Sequence, residues 1–414
     1  MHTLTHAENT PAPTGATTSD PIATEADGPT TEGGGRSSSD PDERRRQLVA
    51  RAASCGPALA EHAATHDRDG SWVAPGYDAL RAAGLLAIAA PTELGGAGAT
   101  IADLAMVQRE LGRHCGSTAL ASSMHQHVTA FTAWRFRRGL PGAEGTLRKI
   151  VDDGAVLVST GGGDFTRPRG TAVKTDGGYR VSGRKRFASQ APAGAVMSTM
   201  FVLDDADRGL RVLNMGVPLA SPGVTIDETW DTLGMRGTAS HDVVLDDVFV
   251  PDERVLADRP YDQLDGPLQV IVSIAFPIIM GAYLGVAEGA YQHALATVTN
   301  PSDPAVQRTV GLMRNRLQVA AWALHGALAT VGDDPTPSME TVAAVMAAKR
   351  AVGDAGIEVC DLAMDLAGGS AFFRGNPIER AYRDIRAIKF HPLTWEQTLT
   401  HAGRLALGLP CDVI

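Results

Sequence analysis

The hydrophobic period of this chain changes twice, and that double change restricts the folds open to it. From residue 41 to about 150 apolar side chains recur at helical spacing, as in PDERRRQLVARAASCGPALAEHA. From about 154 to 253 the chain breaks into short runs rich in β-branched residues: VLVST, GYRVSGRKRFAS, VMSTMFVL, RVLNMGV, VTIDETW and SHDVVLDDVFVP, punctuated by Gly, Asp and Pro. Helical spacing then returns over 266–298, 304–332, 338–367 and 394–407. A period of 3.6 buries one stripe of a helix and a period of 2 buries one face of a sheet. The order therefore predicts a β-domain inserted between two helical regions, the second with the lengths of an antiparallel bundle. The expected class is α+β, mainly α, with a helical domain at 41–153, a β-barrel domain at 154–258 and a four-helix bundle at 259–414.

Local signals refine this. Asp40 or Asp42 is placed to cap the first helix. GYDALRAAGLLAIAAP reads as a second helix that stops before Pro91, and a Gly-rich turn leads into a third. STALASSMHQHVTAFTAWRFRRG reads as a fourth. The stretch Gly266–Ala287 carries no charge and is long enough to span a bilayer. It is flanked by Asp265 and Glu288, lacks a basic cluster and contains Gln269, Ser273 and Pro277. It is expected to be a buried core helix, broken or kinked at Pro277, rather than a membrane span.

Composition excludes some function classes. Lys plus Arg is 37 and Asp plus Glu is 47, a net charge of −10. That balance argues against a nucleic-acid partner, which needs a basic footprint, and against docking on anionic lipid. Cys55, Cys115, Cys360 and Cys411 form no CxxC pair and read as reduced thiols of a cytoplasmic protein. No metal site is expected: HExxH is absent, and His125 and His127, two apart on a helix, point to different sides. Residues 1–40 are rich in Thr, Pro, Gly, Ser and acids, with Arg36 as their only Arg or Lys. They lack the basic and apolar regions of a signal peptide and are expected to form a disordered tail.

Several motifs stand in a telling order. Pro91-Thr92-Glu93-Leu94-Gly95-Gly96-Ala97-Gly98 precedes the third helix. Ser182-Gly183-Arg184-Lys185-Arg186-Phe187 lies in a strand, and Leu233-Gly234-Met235-Arg236-Gly237-Thr238 runs on to Val248-Phe249-Val250-Pro251. Gly368-Gly369 is followed by Glu379-Arg380 and Arg383-Asp384. Together, over about residues 45–410, these resemble the acyl-CoA dehydrogenase superfamily. The resemblance implies a flavin, FAD or FMN, lying between β-domain and bundle. It implies cofactor contacts from Ser159, Thr160, Phe187, Ala188, Ser189, Gly368 and Gly369, and a homotetramer or homodimer. Trp230, Arg236 and Thr238 are expected to serve β-domain packing. No G-x-G-x-x-G follows a strand, so a Rossmann site is not indicated.

The chain departs from the dehydrogenases of that family at the base. Such an enzyme needs a carboxylate to remove a proton α to a thioester. The two family positions correspond here to Pro392 and Ala275, and neither can take a proton. Glu358, Glu379 and Glu396 read as solvated helix charges. The residues instead resemble the two-component flavin monooxygenases of the same fold, which take reduced flavin from a separate flavin reductase and form a C4a-hydroperoxyflavin with O2. The resemblance marks His391, Ser189 and His127 as catalytic: a hydroxyl to bond the peroxide, and imidazoles to move a substrate proton. The expected activity is thus a reduced-flavin-dependent monooxygenase or hydroxylase acting on a small organic substrate. The alternatives are an acyl-CoA or carrier-bound acyl dehydrogenase with a displaced base, and a catalytically silent scaffold.

Overall fold

The computed structural model describes residues 40–161, 164 and 167–411. The expected tail lies, apart from Asp40, outside the described residues. α1 (Pro41–Asp69) begins where predicted: the Asp40 carboxylate accepts from the Asp42 amide at 3.0 Å. α2 (Ala74–Ala82) is shorter than predicted, because Gly84 turns the chain at φ +63°. The LLAIA run beyond it is buried without being helical: Ile88 and Ala90 accept from the amides of Ala99 and Gly98 at 2.9 Å each. A run that is apolar all round carries no period, so sequence could not separate buried turn from buried helix. α3 (Ile101–His114), α4 (Gly116–Arg137) and α5 (Ala143–Asp153) complete the first helical region.

The middle region holds β1 (Val156–Ser159), β2 (Thr171–Thr175), β3 (Gly178–Ala188), β4 (Gly194–Asp205), β5 (Gly209–Pro218), β6 (Val224–Asp227), β7 (His241–Pro251) and β8 (Val255–Pro260). The order is β6-β7-β3-β2-β4-β5-β8, with β1 parallel to β4. Val158, Val181, Met197, Phe201, Met215 and Val243 come from different strands yet share one core, so the sheet wraps round its own interior as a barrel does. Lys185 lies inside that core, fully buried: its ammonium is 3.1 Å from Asp164, stands over the Phe201 ring and donates to the carbonyls of Arg169 and Met200. The lysine of the third-strand motif is therefore a structural residue.

The second helical region contains α6 (Gly266–Leu295), α7 (Pro304–Val331), α8 (Met339–Ala367), α9 (Pro377–Asp384) and α10 (Trp395–Ala406). α6 runs through Pro277 without the predicted break, and 94% of its most apolar window is buried inside the protein. It packs backbone to backbone on α3. A Cβ on Gly281 would meet Ala105 O at 2.2 Å, one on Gly285 would meet Arg109 O at 2.1 Å, and one on Gly289 would meet Arg113 O at 2.6 Å. Three glycines four apart thus let the two helices touch. Glu288, at the end of the charge-free stretch, is buried between Arg109 and Arg113, whose Nε atoms lie 3.0 and 2.9 Å away.

Two contacts lock α1, the β-domain and α9 together. The Arg383 guanidinium grips the Asp67 carboxylate of α1 at 2.5 and 2.8 Å and donates to Leu233 O at 2.9 Å. The next residue, Asp384, accepts from the Met235 amide. Arg236 donates to Asp67 O at 2.6 Å, so it bridges to α1 rather than serving the β-domain alone. Glu379 is also not solvated as predicted; it pairs with Arg383. His125 joins α4 to β1: its Nε2 lies 2.7 Å from Leu86 O, and the Leu157 amide donates to its Nδ1 at 3.0 Å. A carbonyl accepts and an amide donates, so this imidazole is neutral with its proton on Nε2.

Two outcomes follow. Asp67→Asn removes one of the two carboxylates on buried Arg383 and leaves Glu379, so it should cost about 2 kcal/mol in urea unfolding; an unchanged midpoint would exclude the lock. Burial lowers the His125 pKa to about 4. This is below its unfolded value, so its contribution is complete above pH ~6.5 and is lost as pH falls toward 4. Stability of the native chain should drop between pH 6 and 5, and His125→Gln, which cannot titrate, should reduce that slope by about 1.4 kcal/mol per pH unit.

Candidate functional site

Below the lock, a 3-10 turn (Ile385–Phe390) carries the chain from α9 to His391. Its Nε2 is 2.8 Å from the Tyr283 hydroxyl of α6, with ring centroids 5.6 Å apart. Lys349 of α8 holds the same turn by its backbone, donating to His391 O at 2.6 Å and to Leu393 O. The Lys349 ammonium is fully buried between the Phe276 and Trp395 rings, 5.2 and 5.4 Å from their centroids. Among the described residues no carboxylate pairs with it, and burial lowers its pKa to about 7. Burial, then the Lys349 charge and His127, lower the His391 pKa to about 3. His391 is therefore a neutral imidazole at physiological pH.

His127 sits on α4, 6% exposed. Its Nδ1–H donates to Ser123 O at 3.0 Å, which leaves Nε2 as an acceptor. Burial lowers its pKa to about 4. A charge on His127 is felt by His391, after burial and Lys349, and a charge on His125 is felt by His127. His125, two residues away, faces β1 instead, and among the described residues no metal-binding cluster forms.

Ser189 follows β3 directly and stands in a row of buried hydroxyls. Its Oγ is 2.7 Å from Ser240 Oγ, which is 2.8 Å from Thr238 Oγ1, and Thr238 donates to Met235 O at 2.9 Å. Each hydroxyl has one proton, so Thr238 accepts from Ser240 and Ser240 accepts from Ser189. Ser189 consequently presents lone pairs, not its proton, to anything docking on it. The row ends on Met235, whose amide meets Asp384; Asp384 in turn raises the Tyr283 pKa, after burial, so the Ser189 and His391 sides are joined through one loop.

The remaining residues marked for a flavin divide into three groups. Phe187 is 53% exposed, takes φ 58° and stands edge-on to Trp230 at 5.9 Å. A Cβ on Gly161 would meet its side chain at 2.6 Å, so only glycine lets the β1 end pass beside it. Ser159 is half-buried and pairs with Ser198 across β1 and β4. Thr160 and Ala188 turn inward: the Thr160 hydroxyl donates to Asp164 at 2.6 Å, and the Ala188 methyl lies in the β-domain core. They can offer only backbone to a ligand. Gly368 and Gly369 lie exposed at the end of α8, beside Phe372 and Phe373. An exposed aromatic ring, hydroxyl lone pairs and neutral imidazoles, with no ionised carboxylate among these side chains, fit a flat apolar flavin ring. Sequence reasoning missed Tyr283 and Lys349. Tyr283 had a signal: it is the only ionisable group within an otherwise apolar run, and buried Tyr hydroxyls find partners. Lys349 had none, because a Lys-Arg pair on a helix reads as surface.

The known proteins this chain resembles fit these features. Residues 42–136 match the acyl-CoA dehydrogenase N-terminal domain, 159–248 the middle domain and 278–395 the C-terminal domain. The putative acyl-CoA dehydrogenase YdbM of Bacillus subtilis is 29% identical over 376 residues, covering 85% of this chain and 94% of its own. The amino sugar nitrososynthase DnmZ of Streptomyces peucetius is 30% identical over 374 residues, covering 85% and 91%. The solved structure of KijD3 in complex with FMN and dTDP-3-amino-2,3,6-trideoxy-4-keto-3-methyl-D-glucose superposes with a TM-score of 0.81 at 29% identity, covering 89% of this chain and 95% of that one. With all three domain matches in order along one chain, this protein belongs to the acyl-CoA dehydrogenase family and is a flavin-dependent oxidoreductase on that fold.

Proposed function

We propose that this enzyme is a reduced-flavin-dependent monooxygenase that oxygenates an amine-bearing small organic substrate, with His391, His127 and Ser189 at the reacting site. The observation that carries the reading is the neutral His391–Tyr283 pair in a site without a proton-abstracting carboxylate. Reduced flavin, when bound, supplies two electrons to O2, so that one oxygen atom enters the substrate and the other leaves as water. FMN, which the KijD3 complex holds, is the favoured flavin, and a separate reductase is the expected source of its electrons.

The chain's own groups explain the preference. The surroundings that keep His391 and His127 unprotonated also disfavour an ammonium, so an amine is bound as its nucleophilic free base. Tyr283 OH and His391 Nε2 form a hydroxyl–imidazole pair through which the substrate proton is held away from the reacting nitrogen. Ser189 orients the flavin edge through its lone pairs. The apolar walls exclude water, which would otherwise divert oxygen to hydrogen peroxide. The dehydrogenase reading is less favoured, since Ala275 and Pro392 occupy the base positions and Glu358 is paired with Arg316 at 2.7 Å.

We also place the enzyme in the cytoplasm, supported by four cysteines that are all free thiols, and as a homotetramer or homodimer. Phe372, Phe373 and Phe390 are 83, 74 and 80% exposed, an apolar cost that a second copy would relieve.

Three measurements test the reading. Anaerobic protein mixed with reduced FMN and then O2 should show a lag before oxidised flavin appears, with blue-shifted absorbance during the lag. Reoxidation as fast as free flavin would sink the proposal. His391→Asn and Tyr283→Phe should each lower kcat about 100-fold while the lag persists, because they act on the substrate proton. Lys349→Met should lower kcat about 10-fold by loosening the His391 turn, and should remove the ionisation near pH 7 expected in the native kcat profile. A profile unchanged by this substitution would mean that Lys349 does not position His391.

A further inference from the structure

β3 does not end as a regular strand. Between Lys185 and Ala188 three steps of β3 pass against two of β7, which makes a bulge. The backbone there turns left-handed twice, at Phe187 (φ 58°) and at Gln190 (φ 60°). Residues with a Cβ rarely adopt that conformation, and they keep it where their surroundings hold it. Ala188 and Ser189 stand between the two, and the Ser189 amide closes the bend on Phe187 O at 2.9 Å. The bend leaves the Phe187 ring exposed and the Ser189 hydroxyl buried within two residues of each other.

Gln190 supplies the hold. It is fully buried and bonds to three separate parts of the fold. Its backbone amide donates to Thr238 O at 2.9 Å, its Nε2 donates to Leu157 O of β1 at 2.9 Å, and its Oε1 accepts from the Tyr77 hydroxyl of α2. A carbonyl can only accept, so the NH2 end must face Leu157 and the oxygen must face Tyr77. Tyr77 is buried and is itself fixed. α2 lies so near α4 that a Cβ on Gly76 would meet Thr118 Oγ1 at 2.8 Å, and the Val73 amide donates to Gly237 O at 3.3 Å. Leu157 is held from its amide side by His125. Packing alone does not call for a buried amide here, since an apolar side chain would fill the space without polar partners to satisfy. What the amide adds is direction: a side chain held at both ends fixes the backbone torsions beside it.

We propose that Gln190 and Tyr77 are positioning residues of the flavin site, whose bond to each other and to β1 holds the bent end of β3 so that the Phe187 ring and the Ser189 hydroxyl meet the flavin in one geometry. Neither touches a reacting atom. This rests on the reading of Phe187 and Ser189 as flavin contacts, and not on the oxygen chemistry.

The test is calorimetric titration of the full chain with oxidised FMN, with urea unfolding beside it. Tyr77→Phe keeps the ring and removes the donor. Gln190→Met keeps the length and removes both polar ends. Each should weaken FMN about tenfold, as expected for the loss of a buried hydrogen bond. Leu324→Ala, in the buried face of α7, serves as the comparison: it should lower the urea midpoint with FMN affinity kept. In the oxygen reaction the lag of Tyr77→Phe should shorten about tenfold, because Ser189 is no longer held against the flavin edge. If Gln190→Met does not fold, Tyr77→Phe carries the test. FMN affinity and lag both unchanged in Tyr77→Phe would overturn the proposal. So would an equal weakening in Leu324→Ala, which would assign the effect to stability. A native protein without a lag would remove the monooxygenase reading, while the fall in FMN affinity would still support the clamp.

Discussion

Arg383 and Asp384 are neighbours of opposite charge, and the site depends on where each is forced to point. A buried guanidinium has to find an acid, and Arg383 finds Asp67 some 300 residues earlier, with a side-chain exposure of 6% against 11%. Among the described residues no basic side chain forms an ion pair with Asp384; it meets the Met235 amide and lies against Gly116 at the first turn of α4, where unpaired helix amides favour a carboxylate. Burial still raises its pKa to about 6. These two side chains fix α1, the Leu233–Thr238 loop, α4 and α9 relative to one another. The turn carrying His391 begins at the next residue, and the hydroxyl row from Ser189 ends on the same Met235. Both halves of the site therefore inherit their positions from one charge lock.

The chain's buried charges are distributed in a way that leaves the site neutral. Asp103 is held by Arg44 and Arg45, Glu288 by Arg109 and Arg113, and Asp164 by Lys185. Each of these three acids has its base, and Asp384, the buried acid that pairs with no base among the described residues, meets the Met235 amide instead. The site polar groups are of another kind: neutral imidazoles, a tyrosine, a row of serine and threonine hydroxyls, and a lysine resting on carbonyls. Such a set can accept, donate and exclude water without fixing a negative charge beside a flavin at the proposed site. That is a better environment for oxygen transfer than for removing a carbon-bound proton.

Much of this was legible in the sequence, for reasons that can be named. The order of periods foretold helices, sheet and helices, and a cap at Asp40 or Asp42 was recognisable because capping is a local interaction; the structure uses Asp40. β2, β8 and α9 were not singled out: β2 and β8 each bury a single residue, and the eight residues of α9 make barely two turns, too few to show a period. The α2 boundary failed because LLAIA is buried on every side. Lys185 and Thr160 stood in motifs read as lining a flavin, yet their side chains serve the β-domain interior.

The sequence by itself determined the family and the order of elements, because these follow from residue type and spacing along the chain. Only the tertiary structure decided which polar groups meet. Tyr283 reaches His391 across 108 residues and Lys349 reaches it across 42, contacts that no local pattern encodes. It also decided that the imidazoles are neutral, since that depends on desolvation. Desolvation is a property of what surrounds a side chain in space, and the surroundings exist only once the helices and the sheet have closed on one another.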